Sequence, residues 1–371
     1  MVRFNLIGPC SRRKSPIASS FFSMIEFRRP AKVALPDGRL LFSAVSQIGN
    51  RIILVSTHYF DHPIDFDSVT LRLIPSGKTL TNVWRHFRAD YEPCVVLSAM
   101  VDEAPIALEL EYEGHNWTVP LEPHDLPPSS RSLMTLFKED YRRLPDFVRY
   151  YAALGVEQFC LYYNGPLDDV DWSFLETHDA TRNAGISIVQ WDIEYWWKLS
   201  RPTGIRRYDQ QGFQHHAQTM AMNHYLHCAR RSNGYALFVD LDEYVFTPAF
   251  ILEECSRAGA SVVFQSWWAA FEDGSAIEPC ALFDPQTRLR VRATGGGKYR
   301  TKCFVKLSDV SLMGIHFPHQ NASRNVRFLD GFFHTRAFRG TDQYDEFVDQ
   351  YRPYTVSEFI AERFNSPGST P

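Results

Sequence analysis

The sequence predicts a mixed α/β chain in two parts: a small, sandwich-like all-β N-terminal domain, then a mostly parallel sheet with flanking helices. Three observations predict it. Between Phe27 and about Pro120, short apolar and β-branched segments are separated by turn clusters such as Pro36-Asp37-Gly38 and Pro75-Ser76-Gly77. After the proline- and serine-rich stretch PLEPHDLPPSSRS (residues 120–132), strand patterns alternate with helical ones. The length of 371 residues also exceeds what one hydrophobic core usually serves. The expected limits are a tail over residues 1–26, the β domain over 27–125, the α/β domain over 131–345, and a C-terminal helix and tail over 346–371.

In the first part the expected strands are Arg39 to Val45, Arg51 to Ser56, Ser68 to Ile74, Cys94 to Ala99, Ala107 to Tyr112 and Trp117 to Leu121. In the second, Leu133 to Phe137 is an apolar run fit for a buried strand. Leu144, Phe147, Val148, Tyr151 and Leu154 then recur at helical spacing, and Gly155 caps the helix. Val156 to Tyr163 and Ile186 to Trp191 are the next strands. A long helical pattern from Gln214 to Arg231 ends at Asn233-Gly234. Ala236 to Val239 then forms a strand that delivers Asp240 at its carboxyl end, where open α/β sheets bind ligands. Ala260 to Trp267 and Lys302 to Leu307 read as further strands, and Phe347 to Phe364 as a helix with its tail.

Composition removes several function classes. A net charge of −4 and a pI near 6.4 give no basic footprint for a phosphate backbone, so nucleic acid is not an expected partner. Seven cysteines without a CxxC pair read as reduced, buried thiols. The sequence has no apolar run of about 18 residues, and so no membrane span is expected. Arg12, Arg13 and Lys14 are not followed by an apolar h-region, which argues against a secretory signal, and the sequons at Asn116 and Asn321 then read as chance. A cytoplasmic enzyme is the working expectation.

The strongest chemical signal is YALFVDLDEYVF (residues 235–246), where a hydrophobic strand runs into Asp240, Asp242 and Glu243. Two carboxylates one residue apart at a strand end reach a single hard cation through oxygen ligands. Such a cation, Mn2+ or Mg2+, neutralises a diphosphate leaving group. This is the logic of a DxD motif in metal-dependent sugar transferases. The alternative for these residues alone is a solvated acidic turn.

A second block, MTLFKEDYRRLPDFVRYYAALGVEQFCLYYNGPLDD (residues 134–169), resembles the opening of glycosyltransferase family 92 and related GT-A transferases. There a strand ends in a Lys-Asn-Glu-like triplet, and a helix leads through Leu-Gly-Val to a second strand ending in Tyr-Asp-Asn. Gln218, Ala221, Asn223, Leu226 and DLDEY are similar to the family's helix and DxD strand. KCFVKLSDVSLMGIH (302–316) and FFHTR around His334 look like its C-terminal elements. The resemblance spans residues 133 to 340. It implies a GT-A-like fold and transfer of a sugar, with galactose the one it points toward, from a UDP-sugar to a glycan or glycolipid acceptor, with inversion.

Residue by residue, the resemblance implies nucleotide-sugar contacts at Lys138, Glu139, Asp140, Asn164, Asp169 (or its neighbour Asp168), Gln218, Asp240 and Lys302. Glu139 departs from the family's amide, and Tyr163 stands where an Asp is common. Asp240 and Asp242 are the implied metal ligands, with His316 as the candidate third; His319 and His334 compete for that role. Glu272 and Asp273, just beyond a strand, are candidate bases for the acceptor hydroxyl, and Trp267 and Trp268 are candidate acceptor-stacking surfaces, or alternatively core residues. Gly295-Gly296-Gly297-Lys298 lacks P-loop spacing and reads as an acceptor loop. The rival reading is a non-catalytic carbohydrate-binding protein on a degenerate transferase fold. Peripheral contact with the inner face of a membrane is a further expectation, by analogy only.

Overall fold

The computed structural model describes residues 25–88, 92–179, 181, 184–202, 204, 212–246, 249–271, 277, 279–293, 301–321, 326–334 and 351–364. The chain is strand-rich, and its centre is one large mixed sheet. The order across it is Ile25–Arg28, Gly185–Gln190, Gln158–Tyr163, Ser129–Phe137, Asn233–Phe238, Thr301–Lys306, Ser261–Phe271, Arg288–Ala293 and Arg352–Thr355. Val326–His334 joins it beside Ser261–Phe271 and pairs in turn with Glu243–Val245.

The expected mostly parallel sheet is corrected by this arrangement. Five neighbour pairs run parallel and five antiparallel. Four of the parallel pairs lie on one side, from the first strand to Asn233–Phe238, and the fifth, Ser261–Phe271 with Val326–His334, lies on the other. Parallel neighbours need long crossovers, whereas antiparallel ones accept short links. The helical turn Pro279–Phe283 lies in the link between the antiparallel pair Ser261–Phe271 and Arg288–Ala293.

Other boundaries shift as well. Ile25–Arg28, divided in the sequence reading between the tail and the β domain, is an edge strand of the large sheet, and Ile25 packs on the core. The helical pattern from Gln214 begins as a strand, Phe213–His215, paired with Trp196–Lys198; the helix starts only at Ala217. The last helix spans Val356–Phe364 and follows the strand Arg352–Thr355. Ala31–Ala34 and Val83–Arg88 are further strands that no clean alternation announces.

The N-terminal half forms two antiparallel sheets. One has five strands in the order Ala31–Ala34, Leu40–Ile48, Arg51–Ser56, Cys94–Met100, Val83–Arg88. The other has three: Thr70–Ile74, Ala107–Tyr112 and His115–Pro120. They share a core that includes Leu41, Ile52, Leu54, Leu97, Leu71, Leu108 and Val119. The strand Arg51–Ser56 carries an unbroken apolar run, Ile52–Val55, because both its faces are buried. Ile52 and Leu54 face the sandwich core, and Ile53 and Val55 face the opposite way.

What they face there is the helix Ala217–Ala229, all thirteen of whose residues are buried. It lies between the five-stranded sheet and the large sheet, in a core containing Ile53, Val55 and Val96 from one and Met134, Phe238 and Val305 from the other. A helix dehydrated on every side must satisfy its polar side chains internally. Asn223 exchanges hydrogen bonds with the Met313 backbone, both 2.8 Å. His227 Nε2 donates to the Ser311 carbonyl (3.0 Å). His224 joins the two sheets, with Ser46 Oγ 2.8 Å from Nε2 and Tyr162 OH 2.7 Å from Nδ1. A further tie joins the N-terminal half to the separate two-stranded sheet of Val310–Met313 and Pro318–Asn321: the buried pair Glu92 and His319 (2.7 Å), where the same carboxylate oxygen also accepts from the Ile315 N–H. Gly314 permits it, since a Cβ there would come within 2.0 Å of both side chains.

The other face of the large sheet packs on the helix Leu144–Ala153 and on Leu252, Cys255, Val356 and Phe359 from two later helices. Among the described residues no helix is long and apolar enough to cross a membrane.

Two predictions follow from the shared core. Leu226→Ala should cost about 2–5 kcal/mol and lower the urea midpoint of both halves together. Far-UV circular dichroism and tryptophan fluorescence should therefore trace one coincident transition, and an early transition left unmoved by the substitution would contradict the shared core. Acid should also destabilise the fold. Burial lowers His124 and His316 to about 4 and His227 and His216 to about 3, and holds His224 well below its ordinary value. Between about pH 6.5 and 4 the unfolded chain binds protons that the folded chain refuses, so this stabilisation is present above the unfolded value and is lost on acidification. Unfolding free energies from urea titrations at pH 7 and 5 should differ by about 1–2 kcal/mol for each buried imidazole.

Candidate active site

Three neighbouring parallel strands end side by side: Gln158–Tyr163, Ser129–Phe137 and Asn233–Phe238, in register through Phe137 with Tyr163 and Met134 with Phe238. Their carboxyl ends deliver Asn164, the run Lys138–Asp140 and the acidic turn Asp240–Glu243. The turn is closed on itself, because Glu243 N donates to the Asp240 carbonyl (3.1 Å) and Asp240 N donates to Glu243 Oε2 (2.7 Å). Tyrosines clamp it from behind. Tyr151 OH donates to the Glu243 carbonyl and Tyr150 OH to the Val245 carbonyl, both 2.6 Å, and Tyr244 OH donates to the Leu241 carbonyl (3.0 Å). Buried backbone carbonyls thus find partners that fix the direction of the carboxylates.

Asp240 is held at both oxygens. Gln218, in the first turn of the central helix, donates to Oδ1 (2.7 Å), and Lys302 Nζ donates to Oδ2 (2.8 Å). The same ammonium lies 3.2 Å from Glu243 Oε2, and the Lys302 side chain is only 2% exposed. Burial alone would depress the Lys302 pKa; the carboxylates of Asp240 and Glu243 outweigh it and hold the ammonium above its ordinary value. Tyr195 OH extends the chain by donating to Gln218 Oε1 (2.9 Å). Three carboxylates, Asp240, Asp242 and Glu243, less one ammonium leave two formal negative charges at the strand end.

In front of this cluster opens a cleft of about 430 Å³ lined by Leu136 to Asp140, Asn164, Tyr195, Trp196, Asp240, Leu241 and Asp242. It gathers Lys138, Glu139, Asp140, Asn164, Asp240 and Asp242 of the residues expected from sequence, with Gln218 and Lys302 directly bonded to Asp240. Asp140 leaves its strand in a left-handed conformation (φ 61°), turning the chain at the cleft edge. Asn164 has a structural task besides. Its amide donates to the carbonyls of Trp191 (2.7 Å) and Ile193 (2.8 Å), and its backbone N–H donates to the Phe137 carbonyl (2.7 Å), so it fastens three strand ends together.

Other expected residues are placed elsewhere. Asp169 is exposed on the turn Leu167–Asp169, while its neighbour Asp168 pairs with Arg29. His316 lies near enough to Lys302 and Asp240 to feel the charge of both, while among the described residues no group of three or more His, Cys, Asp or Glu stands ready to hold a metal. His316 braces the residues flanking Lys302: Nδ1 donates to the Thr301 carbonyl (3.2 Å), and its own carbonyl accepts from Thr301 Oγ1 (2.5 Å) and Cys303 Sγ (3.1 Å). His319 is committed to Glu92. Trp267 is half-buried against the core, its ring 5.3 Å from Phe359, so it serves the packing of the last helix; Trp268 is half-buried on the same strand, and neither lines the cleft. Glu272, Asp273, the loop from Gly295 to Lys298 and the side chain of His334 lie outside the described residues.

Tyr195 and Trp196 are cleft residues that the sequence reading missed, and Glu243 is a partner of Lys302 to which it gave no role. The aromatic run Tyr195-Trp196-Trp197 after a strand was the available signal, and pairing with Phe213–His215 is what turns it toward the cleft.

The family model described as Glycosyltransferase family 92 matches residues 132–357, more than half of the chain. No curated protein matches it. Among solved structures, the crystal structure of HddC from Yersinia pseudotuberculosis aligns over 59% of this chain and 97% of its own, with 10% sequence identity and a TM-score of 0.30.

Replacing Lys302 with Met should leave Asp240 and Glu243 as uncompensated charges in a mostly buried setting. Breaking one partner of such a pair costs about 3–5 kcal/mol, discounted here because the Asp240 side chain is about one-third exposed. Guanidinium denaturation of the variant checks it, and a midpoint within error of the parent would show that the bridge contributes nothing net.

Proposed function

The chain belongs to glycosyltransferase family 92 and is a glycosyltransferase, and on that premise we propose that the cleft before Asp240 and Asp242 binds the nucleotide diphosphate of a sugar donor, with UDP-galactose or a similar UDP-sugar as substrate. The observation that carries this reading is the convergence of Lys138–Asp140, Asn164, Asp240 and Asp242 at adjacent strand ends around one cleft. Lys138, exposed at the rim, offers an ammonium to a phosphate, and the exposed Trp196 offers a flat apolar face.

The donor set fits a hard divalent cation. Mg2+ and, by similar chemistry, Mn2+ are usually held by one or two carboxylates together with substrate phosphates and water, not by an all-protein cage. Asp240 and Asp242 would supply those carboxylates. Each Asp240 oxygen, after accepting from Gln218 or Lys302, keeps a further lone pair. When bound, such a cation would offset charge developing on the leaving diphosphate. The protein's own part is preorganisation, since Lys302, Gln218 and the tyrosine clamp hold Asp240 in place before any ligand arrives.

Transfer with inversion is a single displacement. The acceptor hydroxyl oxygen forms a bond to the anomeric carbon as that carbon's bond to the diphosphate oxygen breaks, and the hydroxyl proton passes to a carboxylate. Glu272 or Asp273, immediately after the strand Ser261–Phe271, is the proposed base, and the acceptor is a glycan or glycolipid.

Calorimetric titration with UDP, with and without Mn2+, on the parent and on Asp242→Ala tests the reading. Binding should require the metal and weaken at least about tenfold in the variant, the scale of a lost charge-assisted contact. Equal binding by both proteins would move the diphosphate away from this turn.

A further inference from the structure

Trp196 and Trp197 are neighbours in sequence and point to opposite faces of a short antiparallel ribbon, Trp196–Lys198 against Phe213–His215. One face carries Trp196 and its cross-strand partner His215, with ring centroids 4.2 Å apart, and Trp196 lines the cleft. The other face carries Trp197 and its partner Gln214, and this face is fastened to the β-sandwich half. Trp197 packs edge-on against Tyr59 at 4.8 Å. Gln214 Nε2 donates to Thr57 Oγ1 (3.3 Å) and to the His58 carbonyl (3.0 Å), while its Oε1 accepts from Phe60 N (3.3 Å). Just beyond the ribbon, Ser200 donates to Asp61 Oδ2 from both N (2.8 Å) and Oγ (2.7 Å). Every residue from Thr57 to Asp61 takes part in these ties.

A two-stranded ribbon with three residues per strand is not stable by itself in water, so burial against the sandwich must supply what the ribbon lacks. We propose that the loop Thr57–Asp61 is a positioning element of the transferase: it holds the ribbon so that Trp196 forms a wall of the donor cleft, and Asp61 and Gln214 act on donor binding through Trp196 without touching the donor. This rests on the reading of the cleft as the donor site. It gives the N-terminal sandwich an indirect part in substrate recognition, through Trp196, across about 135 residues of sequence between Asp61 and Trp196. Asp61 is suited to the task. Burial pushes its carboxyl pKa up, yet the two Ser200 hydrogen bonds outweigh that and leave it lowered, so it stays an anionic acceptor.

A double-mutant cycle tests the proposal. UDP with Mn2+ is titrated by calorimetry against the parent, Asp61→Ala, Trp196→Ala and the double variant, with ADP, GDP, CDP and dTDP as alternative probes. Losing two hydrogen bonds to a carboxylate should weaken nucleotide binding in Asp61→Ala by roughly fivefold or more. In the Trp196→Ala background the same change should have no further effect, because its route to the ligand is gone. Asp61→Asn keeps an acceptor for Ser200 and should restore most of the affinity. Ser200→Ala, made at the exposed partner, removes one of the two bonds without opening the core, and should give a smaller loss in the same direction. Hydrogen exchange at residues 196–200 and 213–216 should quicken in step with the lost affinity. Unchanged affinity in Asp61→Ala, or losses that simply add in the double variant, would overturn the positioning role while leaving the donor site intact. A parent protein that binds no nucleoside diphosphate would overturn the donor reading, and this inference with it.

Discussion

The helix Ala217–Ala229 has no face left for water, and that constraint shapes everything around it. A helix inside a two-layer α/β protein shows one side to solvent; this one is covered by a second sheet and must therefore be apolar or internally bonded all round. Its sequence, AQTMAMNHYLHCA, largely meets the condition with small residues and methionines, and His224 finds a partner in each covering layer, Ser46 and Tyr162. The five-stranded sheet is accordingly part of the same packed body as the large sheet, with His224 as a polar pin between Ser46 of one and Tyr162 of the other.

From that helix the order passes to the chemistry. Gln218 stands in its first turn and fixes one oxygen of Asp240, and Lys302, from an antiparallel neighbour strand, fixes the other. A buried lysine is tolerable only because two carboxylates compensate its desolvation. Those carboxylates in turn are aimed by a turn whose backbone is held by tyrosines of the helix Leu144–Ala153. The acidic motif is thus rigid by construction, from packing on one side and ion pairing on the other. Such rigidity is what a site needs if charge stabilisation is to be in place before the reaction begins.

The sandwich and the cleft are linked by the aromatic ribbon. Its alternation sends one tryptophan into the sandwich contact and the next into the cleft, so a single two-residue step carries the connection between fold and site. The glycosyltransferase family match begins at residue 132; the loop Thr57–Asp61 lies outside it yet braces a wall of the cleft inside it.

By itself the sequence determined the strands and helices with strong periodicity and the place of the acidic turn. Those follow from local rules: an apolar run long enough for one buried strand, helical spacing from Leu144 to Leu154, and carboxylates directly after a hydrophobic strand. It also carried the order of motifs that mark the family. Only the tertiary structure decided that half the pairs in the large sheet run antiparallel, that Ile25–Arg28 belongs to that sheet, that His316 braces the residues flanking Lys302, and that Trp267 packs on Phe359 while Trp196 lines the cleft. These depend on which segments meet in space, from Thr301 with His316 to Ile25 with Ile186. A histidine or tryptophan has the same local signature whether its neighbour is a ligand or a core phenylalanine, so its role is fixed by packing, and packing is a property of the whole fold.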